Sequence, residues 1–465
     1  MTLLSILIFL IPIFVGTIIV HLIWDKNDPK ILLLKFALGI GIGIGLISLL
    51  YFVFRFSGQS WFLPLLLGIL LLLSAIAIRT WKPLTLFQRI PLTGLQKVLL
   101  LSLAVVIILN LATFVSISLR RPHGAWDSWA IWNRSARFIY RGGEDWQRAF
   151  SGEFYWMFHA DYPLLVPLTT AWAWDVLNIE TIRVPMIQSG IYLFGSGLLL
   201  FSALLVFRSL GTASLATIVL MALPSFVNIG SNQLADTPLA IFIAATAILF
   251  SLYSKYQQPQ MLALAGITTA LATWTKNEGM LFLVSSLAGL FVLSYKDKQA
   301  WRLVAWYFSG MLLPLLIILF FKFKLAPPGD LFESGWSEIW QRTTDASRYF
   351  TSLKAFGQVF FIWGGWSYSV QSFLLYYLLF RQKEIQTWSR GLLAVLVLLV
   401  IQLLAYFAIY IITPHDLEWH LAFSLERIVL HVYPTVLFLL FSITESPENV
   451  FFPQKERVTL GISTR

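Results

Sequence analysis

Five short polar motifs, each beside a long apolar run, carry most of the side chains in this sequence that could do chemistry. They supply carboxylates, imidazoles and cationic groups, which serve in proteins for proton transfer, phosphate binding and cation binding. The motifs are Trp126-Asp127-Ser128-Trp129, His159-Ala160-Asp161-Tyr162-Pro163, Asp236-Thr237-Pro238, Lys276-Asn277-Glu278-Gly279, and residues 413–427, from Thr413-Pro414-His415-Asp416 to Arg427. Any one of them has an ordinary structural explanation, but five at one membrane face would be expected to form a site.

The first motif opens a segment with the pattern of an amphipathic helix lying on a membrane surface. The predicted helix covers residues 126–140. Arg134, Arg137 and the adjoining Arg141 share one helical face, and the tryptophans can seat their rings among lipid headgroups. Asp127 stands at the start of this helix, where the helix dipole alone favours an acid by about 0.3–1 kcal/mol. The alternative is that Asp127 takes a proton at the membrane surface, beside arginines suited to phosphate.

The second and third motifs carry carboxylates whose roles the sequence leaves open. His159 and Asp161 precede an apolar run, and they could ligate a divalent cation, position an acceptor or only satisfy loop hydrogen bonds. Asp236 opens a span just before Pro238, where capping of the helix is an equally ordinary role.

The remaining motifs supply cations. Lys276 and Glu278 lie between two short apolar runs and could simply neutralise each other at the membrane interface. Arg427 and His431 are one helical turn apart near the start of the last apolar run, where snorkelling explains Arg427 about as well as phosphate binding does. If the protein uses a divalent cation as a cofactor, the candidate ligands are His159, Asp161, Asp236 and Glu278.

Composition indicates the kind of protein that must position these residues. The 465-residue chain is 58% hydrophobic and 12% charged, whereas a soluble domain devotes about a quarter of its residues to charged types. The chain is therefore expected to be a membrane protein. Its net charge of +10 lies mostly between apolar runs, where it orients the protein in the bilayer, so no nucleic-acid partner is expected. The absence of cysteine excludes disulfides and thiolate metal sites.

The apolar runs predict an all-α polytopic protein with about thirteen transmembrane helices in a single domain over residues 1–465. The predicted spans are 3–23, 31–54, 61–79, 98–119, 186–207, 213–229, 237–254, 260–275, 279–294, 303–323, 358–380, 391–412 and 428–443. Two polar stretches, 120–162 and 324–357, are predicted extracytoplasmic loops, and the first should contain juxtamembrane helices. The run 163–178 is short enough to span or to lie in the interface.

The placement of basic residues decides whether the run 163–178 crosses the membrane, and it predicts the orientation of the protein. The basic linkers contain Arg79, Lys82, Arg89 and Lys97; Arg208; Lys255; Lys296, Lys298 and Arg302; Arg381, Lys383 and Arg390; and Lys455 and Arg457. They all fall on the cytoplasmic side only if the run 163–178 does not cross. All five polar motifs then face outward from a bacterial inner membrane. The arginines of the loop 120–162 depart from this rule and need another function.

The motifs, in this order, resemble those of bacterial membrane glycosyltransferases of the GT-C superfamily. The resemblance is to a family 39-like group that includes relatives of protein O-mannosyltransferases and of the lipid A aminoarabinose transferase. It rests on Trp126-Asp127-Ser128-Trp129-Ala130-Ile131-Trp132-Asn133, His159-Ala160-Asp161-Tyr162-Pro163-Leu164-Leu165, Ala235-Asp236-Thr237-Pro238-Leu239 and Lys276-Asn277-Glu278-Gly279. Protein mannosyltransferases have an Asp-Glu pair where this chain has Asp127-Ser128, so a protein acceptor is in doubt.

The resemblance implies a GT-C fold and a sugar donor carried on polyprenyl phosphate within the membrane lipids. Asp127 matches the catalytic aspartate of the family and would act as general base on an extracytoplasmic acceptor, with inversion at the anomeric carbon. Asp236 matches an acid that opens a later span. The departing phosphate would be stabilised by cations from Arg134, Arg137, Lys276 and Arg427. His159, Asp161 and Glu278 would also contact substrate.

Three other functions are compatible with the same sequence. A transporter or flippase for a lipid-linked substrate would place ionisable groups near the bilayer midplane, and no predicted span has a charge at its centre. A ligase or polymerase of the same fold would move whole oligosaccharides from lipid pyrophosphate, and an assembly subunit without activity would keep only the scaffold. The sugar, the acceptor, the metal requirement and the oligomeric state are not specified by the sequence.

Overall fold

Helices account for nearly all of the structure, because a backbone surrounded by lipid must satisfy its own hydrogen bonds. The computed structural model describes residues 2–24, 26, 28–57, 91–151, 159–329, 335–362, 370–381 and 388–451, with residue 331 and a few positions between 68 and 76. The described residues are 86% helical, and they include no strand. The predicted span 61–79 lies largely outside them, as do Arg79, Lys82, Arg89, Lys383, Lys455 and Arg457.

Nine of the described helices are long and apolar enough to cross a membrane. They are α1 (Thr2–Ile23), α2 (Pro29–Ser57), α3 (Gly94–Arg120), α6 (Arg183–Phe207), α9 (Asp236–Tyr256), α11 (Asn277–Ser294), α12 (Ala300–Lys324), α16 (Arg390–Ile412) and α17 (Leu417–Ile443). Between them lie the shorter α4 (Asn133–Arg141), α5 (Leu165–Leu177), α7 (Leu210–Met221), α8 (Pro224–Ser231), α10 (Gln260–Thr275), α13 (Gly335–Thr344), α14 (Ala346–Ile362) and α15 (Val370–Phe380), and α18 (Pro447–Phe451) follows.

The described residues therefore form an all-α arrangement with nine such spans, and the total of thirteen stays a prediction. The predicted span 213–229 is two helices, α7 and α8, bent by 67° at a break. The predicted span 260–275 is α10, whose 16 residues make it shorter than a typical span.

The helix ends define two opposite ends of the bundle. The first, called the Asp127 end, holds Asp127, Asp236, Lys276 and Arg427. The second, called the Lys255 end, is where Lys255 at the end of α9 donates to the Val206 carbonyl of α6, 2.6 Å away. At this end the Phe380 carbonyl of α15 also accepts from the backbone N–H of Glu445, just beyond α17.

Helix α5 begins and ends at the Asp127 end, in agreement with the prediction that the run 163–178 does not cross. Its 13 residues extend roughly 20 Å, less than the hydrocarbon thickness of about 30 Å. Asp161, just before α5, accepts from Asn277 at the start of α11. Glu180, just after α5, pairs with Arg137 of α4. Both ends of α5 are thus tied to the same side of the bundle.

Two predicted polar segments are largely helical, which corrects the predicted boundaries of the neighbouring spans. The stretch 324–357 contains α13 and the start of α14, and their arginines dock on the end of α16. Arg348 donates to the carbonyls of Tyr410, Ile411 and Thr413, and Arg342 donates to that of Ile412. These carbonyls have no partner within α16, because the last turn of a helix leaves its acceptors unused.

The second correction concerns the link 413–427. Helix α17 already begins at Leu417, because the side chain of Asp416 accepts from the backbone N–H of Trp419 and caps the first turn. Arg427 and His431 consequently lie well inside α17, on one face, and not at the start of the span as the sequence suggested. This places both side chains within reach of the neighbouring helix α9.

Candidate functional site

Asp236 is the centre of a buried ion-pair network at the Asp127 end. It is the first residue of α9 and its side chain is fully buried. Oδ1 lies 3.1 Å from Lys276 Nζ and 2.8 Å from His431 Nε2, and Oδ2 lies 2.9 Å from Arg427 Nη2. A buried carboxylate persists only when its charge is compensated in this way. Its side chain pairs with these groups instead of capping α9, so the capping explanation is not the one realised.

Arg427 joins Asp236 to the second aspartate of the site. Its Nη2 lies 2.7 Å from Asp127 Oδ2, and the two side chains are 23% and 24% exposed. Asp127 precedes a π-helical turn, Ser128–Trp132, and makes no capping hydrogen bond to it. The turn is held on the loop before α9, because Ser128 Oγ donates to the Asn232 carbonyl. Two aspartates from distant parts of the chain therefore share one guanidinium, and only Asp127 is open to solvent.

Lys276 extends the network to a third carboxylate. It lies in extended backbone between α10 and α11, with Nζ 2.9 Å from Glu278 Oε1. Burial would lower the pKa of Lys276, but the charges of Asp236 and Glu278 outweigh it and raise that pKa above its ordinary value. Lys276 therefore stays charged at neutral pH. Lys276 forms the ion pair with Glu278 that the sequence predicted, and the same ammonium group also pairs with Asp236.

A close backbone contact at Gly279 positions Lys276 and Glu278. The helices α10 and α11 meet so tightly that a Cβ on Gly279 would lie 1.9 Å from the Ala272 carbonyl oxygen. Thr273 Oγ1 also donates to the Gly279 carbonyl at 3.2 Å and closes the turn. Glycine is required here because the two backbones approach within the space of a side chain.

Replacement of Gly279 by alanine should therefore separate α10 from α11 and displace Lys276 from Asp236. We expect Gly279→Ala to lower the thermal unfolding temperature of the purified protein by several degrees, as forced overpacking costs about 1–3 kcal/mol. The matched control is Gly357→Ala in α14, where an added Cβ would meet nothing within 4 Å. Equal unfolding temperatures for the two variants would contradict the proposed close packing.

His431 and Tyr406 form a buried hydrogen-bonded chain that ends on Asp236, and Tyr406 was not a predicted site residue. His431 Nδ1 lies 3.1 Å from the Tyr406 hydroxyl, and both side chains are fully buried. An ionised Asp236 can only accept, so His431 Nε2 carries the hydrogen and Nδ1 accepts from Tyr406. This arrangement satisfies a neutral imidazole completely. The only sequence signal for Tyr406 was a hydroxyl within an apolar span.

Asp161 lies in a neighbouring polar cluster that shares the turn between α10 and α11. Its Oδ2 accepts from Asn277 Nδ2 at 2.7 Å and lies 3.9 Å from Lys322 Nζ. Lys322 also donates to the Asn277 side chain at 2.7 Å. Asn277 thus connects this cluster to Lys276, its neighbour in sequence. Lys322, in the last turn of the apolar helix α12, was not among the predicted site residues.

His159 and Arg134 have local aromatic partners. The His159 ring stacks on Tyr162, with ring centroids 4.9 Å apart, and its backbone adopts a positive φ of 46°. The Arg134 guanidinium lies 5.5 Å from the centre of the Phe138 ring. Burial lowers the pKa of Arg134 to about 10, which leaves it charged at neutral pH.

Arg137, a predicted phosphate ligand, forms an ion pair with Glu180. Its Nε lies 2.9 Å from Glu180 Oε1, and Arg141 Nε lies 2.6 Å from Glu180 Oε2. Glu180 therefore holds α4 on the link between α5 and α6. This function accounts for two of the arginines that the charge rule left unexplained in the loop 120–162.

The Glu180 contacts should weaken in acid. Burial would raise the pKa of Glu180, but its bonds to Arg141 and Arg137 outweigh burial and lower that pKa. The stabilisation is complete above the ordinary glutamate pKa of about 4.3 and is lost as pH falls through the lower pKa of the folded protein. We expect slower amide exchange in α4 for wild type than for Glu180→Gln at pH 7, and equal exchange at acidic pH. A difference that persists in acid would exclude this role for Glu180.

The carboxylates proposed as metal ligands pair with cations. Among the described residues, no group of three or more histidine or acidic side chains is placed to hold a metal ion. Asp236 and Glu278 both contact Lys276, and Asp161 faces Lys322. A site of this composition can bind an anion through Arg427 and can take a proton through the partly exposed Asp127.

These features define an all-α, multi-pass membrane protein with a buried network of acids and bases at one end of its helix bundle. Comparison with known proteins finds no matching family model, no matching curated protein and no matching solved structure. The resemblance to membrane glycosyltransferases therefore rests on the short motifs alone.

Proposed function

We propose that this protein is an inverting glycosyltransferase of the GT-C type. It transfers a sugar from a polyprenyl-phosphate donor to an acceptor outside the cytoplasm of a bacterium. The observation that carries the proposal is the position of Arg427 between Asp127 and Asp236, at 2.7 and 2.9 Å. Of the two partners of Arg427, Asp236 is fully buried and stays in place, whereas Asp127 is partly exposed and can be replaced by another anion.

The chemistry of the donor explains why such a site lies at one end of the helix bundle. A polyprenyl tail stays in the hydrocarbon, so its phosphate and the sugar's anomeric carbon lie at headgroup depth. Arg427 is 23% exposed and its guanidinium suits a phosphate. Lys276, which is almost fully buried, adds positive charge behind it. The basic residues Arg208, Lys255, Lys296 and Arg390 lie at the Lys255 end, which the charge rule assigns to the cytoplasm.

The reaction begins with an exchange of partners at Arg427. The donor phosphate takes the place of Asp127 on the guanidinium, and the released carboxylate is free to contact the acceptor. Asp127 then accepts the proton of the acceptor hydroxyl or amine. The acceptor atom bonds to the anomeric carbon as the bond from that carbon to the phosphate oxygen breaks. Polyprenyl phosphate leaves with the electron pair, stabilised by Arg427.

The first test asks which molecule depends on the protein. Deletion of the gene should truncate one envelope glycolipid or polysaccharide by a defined sugar, and the polyprenyl-phosphate form of that sugar should accumulate. Re-expression of the chain should restore the full-length glycan. Unchanged glycans in the deletion strain would contradict the proposal.

The second test uses purified protein in liposomes, supplied with that polyprenyl-phosphate sugar and the truncated acceptor. We expect release of free polyprenyl phosphate together with a product of inverted anomeric configuration. The same sugar supplied on a nucleotide should not react. Movement of the lipid-linked sugar across the liposome without any transfer would instead indicate a flippase and refute the enzymatic proposal.

A further inference from the structure

A basic cleft lies at the Lys255 end, remote from the network around Asp236. The described residues leave a cleft of about 470 Å³ between the ends of α9 and α11 and the starts of α10, α12 and α16. This volume is within the range of about 300–1,000 Å³ that is typical of small-ligand sites. The residues that characterise it are Tyr253, Gln257, Lys296, Asp297, Lys298 and Arg390.

The lining of this cleft has an excess of positive charge. Lys296, Lys298 and Arg390 contribute three cations, against the single carboxylate of Asp297. That carboxylate accepts the backbone N–H of Gln299 at 2.7 Å. In the described part of the chain, none of the three cations forms an ion pair, and all three are exposed. Three cations that converge on one cavity, with one carboxylate among its described lining residues, favour an anionic ligand.

The surroundings of the cleft indicate that this ligand belongs to the membrane. Tyr295 at the end of α11 is 54% exposed, and Trp301 in the first turn of α12 is 72% exposed. Exposed tyrosine and tryptophan rings at the ends of apolar helices are typical of the headgroup layer. The cations of the cleft therefore lie at the depth of lipid phosphates. Orientation of the protein would require basic residues on this side, but it would not require a cavity between five helix ends.

We propose that this cleft binds the phosphate headgroup of an anionic phospholipid from the leaflet at the Lys255 end. Arg390 and Lys298 hold the phosphate, Lys296 adds positive charge at the rim, and the acyl chains lie along the apolar surface of α12. A basic pocket between helices on the cytoplasmic side is suited to such a headgroup. This site is separate from sugar transfer, and its test does not depend on that activity.

The test measures retention of lipid by the purified protein in mild detergent. Native mass spectrometry during titration with phosphatidylglycerol should show one tightly retained lipid per chain, and titration with phosphatidylcholine should show none. Each cation near an anionic surface contributes about fivefold to binding, so Lys298→Gln/Arg390→Gln should bind phosphatidylglycerol about 25-fold more weakly. The matched control, Lys26→Gln/Lys30→Gln, removes the same charge from residues before and in the first turn of α2.

A second variant is expected to change phosphatidylglycerol binding in the opposite direction. Asp297→Asn keeps a side-chain acceptor for the Gln299 N–H but removes the one carboxylate among the described residues of the cleft, so it should tighten phosphatidylglycerol binding. If Lys298→Gln/Arg390→Gln and Lys26→Gln/Lys30→Gln weakened phosphatidylglycerol binding equally, the effect would reflect net charge alone, and the proposal would be overturned. Displacement of the lipid by millimolar inorganic phosphate would show that a soluble anion is the ligand, and would also overturn it.

Discussion

Replacement of Asp127 by asparagine should abolish sugar transfer while the protein inserts and unfolds as the wild type does. The carboxylate is proposed to take the acceptor's proton, and loss of a general base typically costs about 10²–10⁴-fold in rate. Asparagine occupies the same volume but cannot accept that proton. Arg427 keeps its buried partner Asp236, 2.9 Å away. The lost pair is near the surface, where such pairs contribute only about 0–1 kcal/mol.

Activity is measured as polyprenyl phosphate released in liposomes, and folding as the thermal unfolding temperature in the same preparation. The matched control is Asp145→Asn, which removes an exposed carboxylate from the same loop. It should leave both quantities unchanged. Transfer by Asp127→Asn at a rate near that of the wild type would remove Asp127 from the mechanism, whatever happens to donor binding.

The Asp236→Asn variant should instead lose its stability. Asp236 is fully buried, compensates the charges of Arg427 and Lys276, and accepts a hydrogen bond from His431. Asparagine would leave the two cations in a poorly solvated interior with too little negative charge. Removal of one partner from a buried ion pair costs about 3–5 kcal/mol, so we expect a markedly lower unfolding temperature and poor yield.

The comparison of the two aspartates makes this prediction specific. Both carboxylates contact the same nitrogen of Arg427, so a difference between Asp127→Asn and Asp236→Asn reports the burial of Asp236 and its further partners Lys276 and His431, and not the contact with Arg427. The unfolding temperature should fall for Asp236→Asn only. A stable Asp236→Asn protein that is merely inactive would show that the network is catalytic throughout and that its structural role is minor.

The members of the network also differ in how firmly they are held. Asp236, His431 and Tyr406 form a buried chain in which every polar group has a partner, and this chain holds Arg427 in one position. Asp127 is the member that can leave, since it is joined to the network through Arg427 and is partly exposed. A donor phosphate would therefore meet a rigid guanidinium whose second partner is replaceable.

Much of the architecture could be predicted from local patterns. The length of an apolar run specifies a membrane helix wherever it lies in the fold, and the nine spans agree with predicted ones. Charge placement predicted that the run 163–178 does not cross, and the residues on both sides of α5 contact partners at the Asp127 end. The five motifs also named five members of the network, Asp127, Asp236, Lys276, Glu278 and Arg427, because ionisable residues beside apolar runs are rare and costly.

Other features depended on which helices pack together. Arg137 carries the same charge as Arg427, and nothing in its local sequence indicates that it pairs with Glu180. Tyr406 is an unremarkable hydroxyl in an apolar helix until α17 places His431 beside it. The sequence made Asp236 a site candidate, but its three partners come from α17 and from the turn between α10 and α11. Periodicity and charge act over a few neighbouring residues and therefore specify helices and their orientation. Ion pairs between distant segments depend on the packing of whole helices, and only the folded chain decides them.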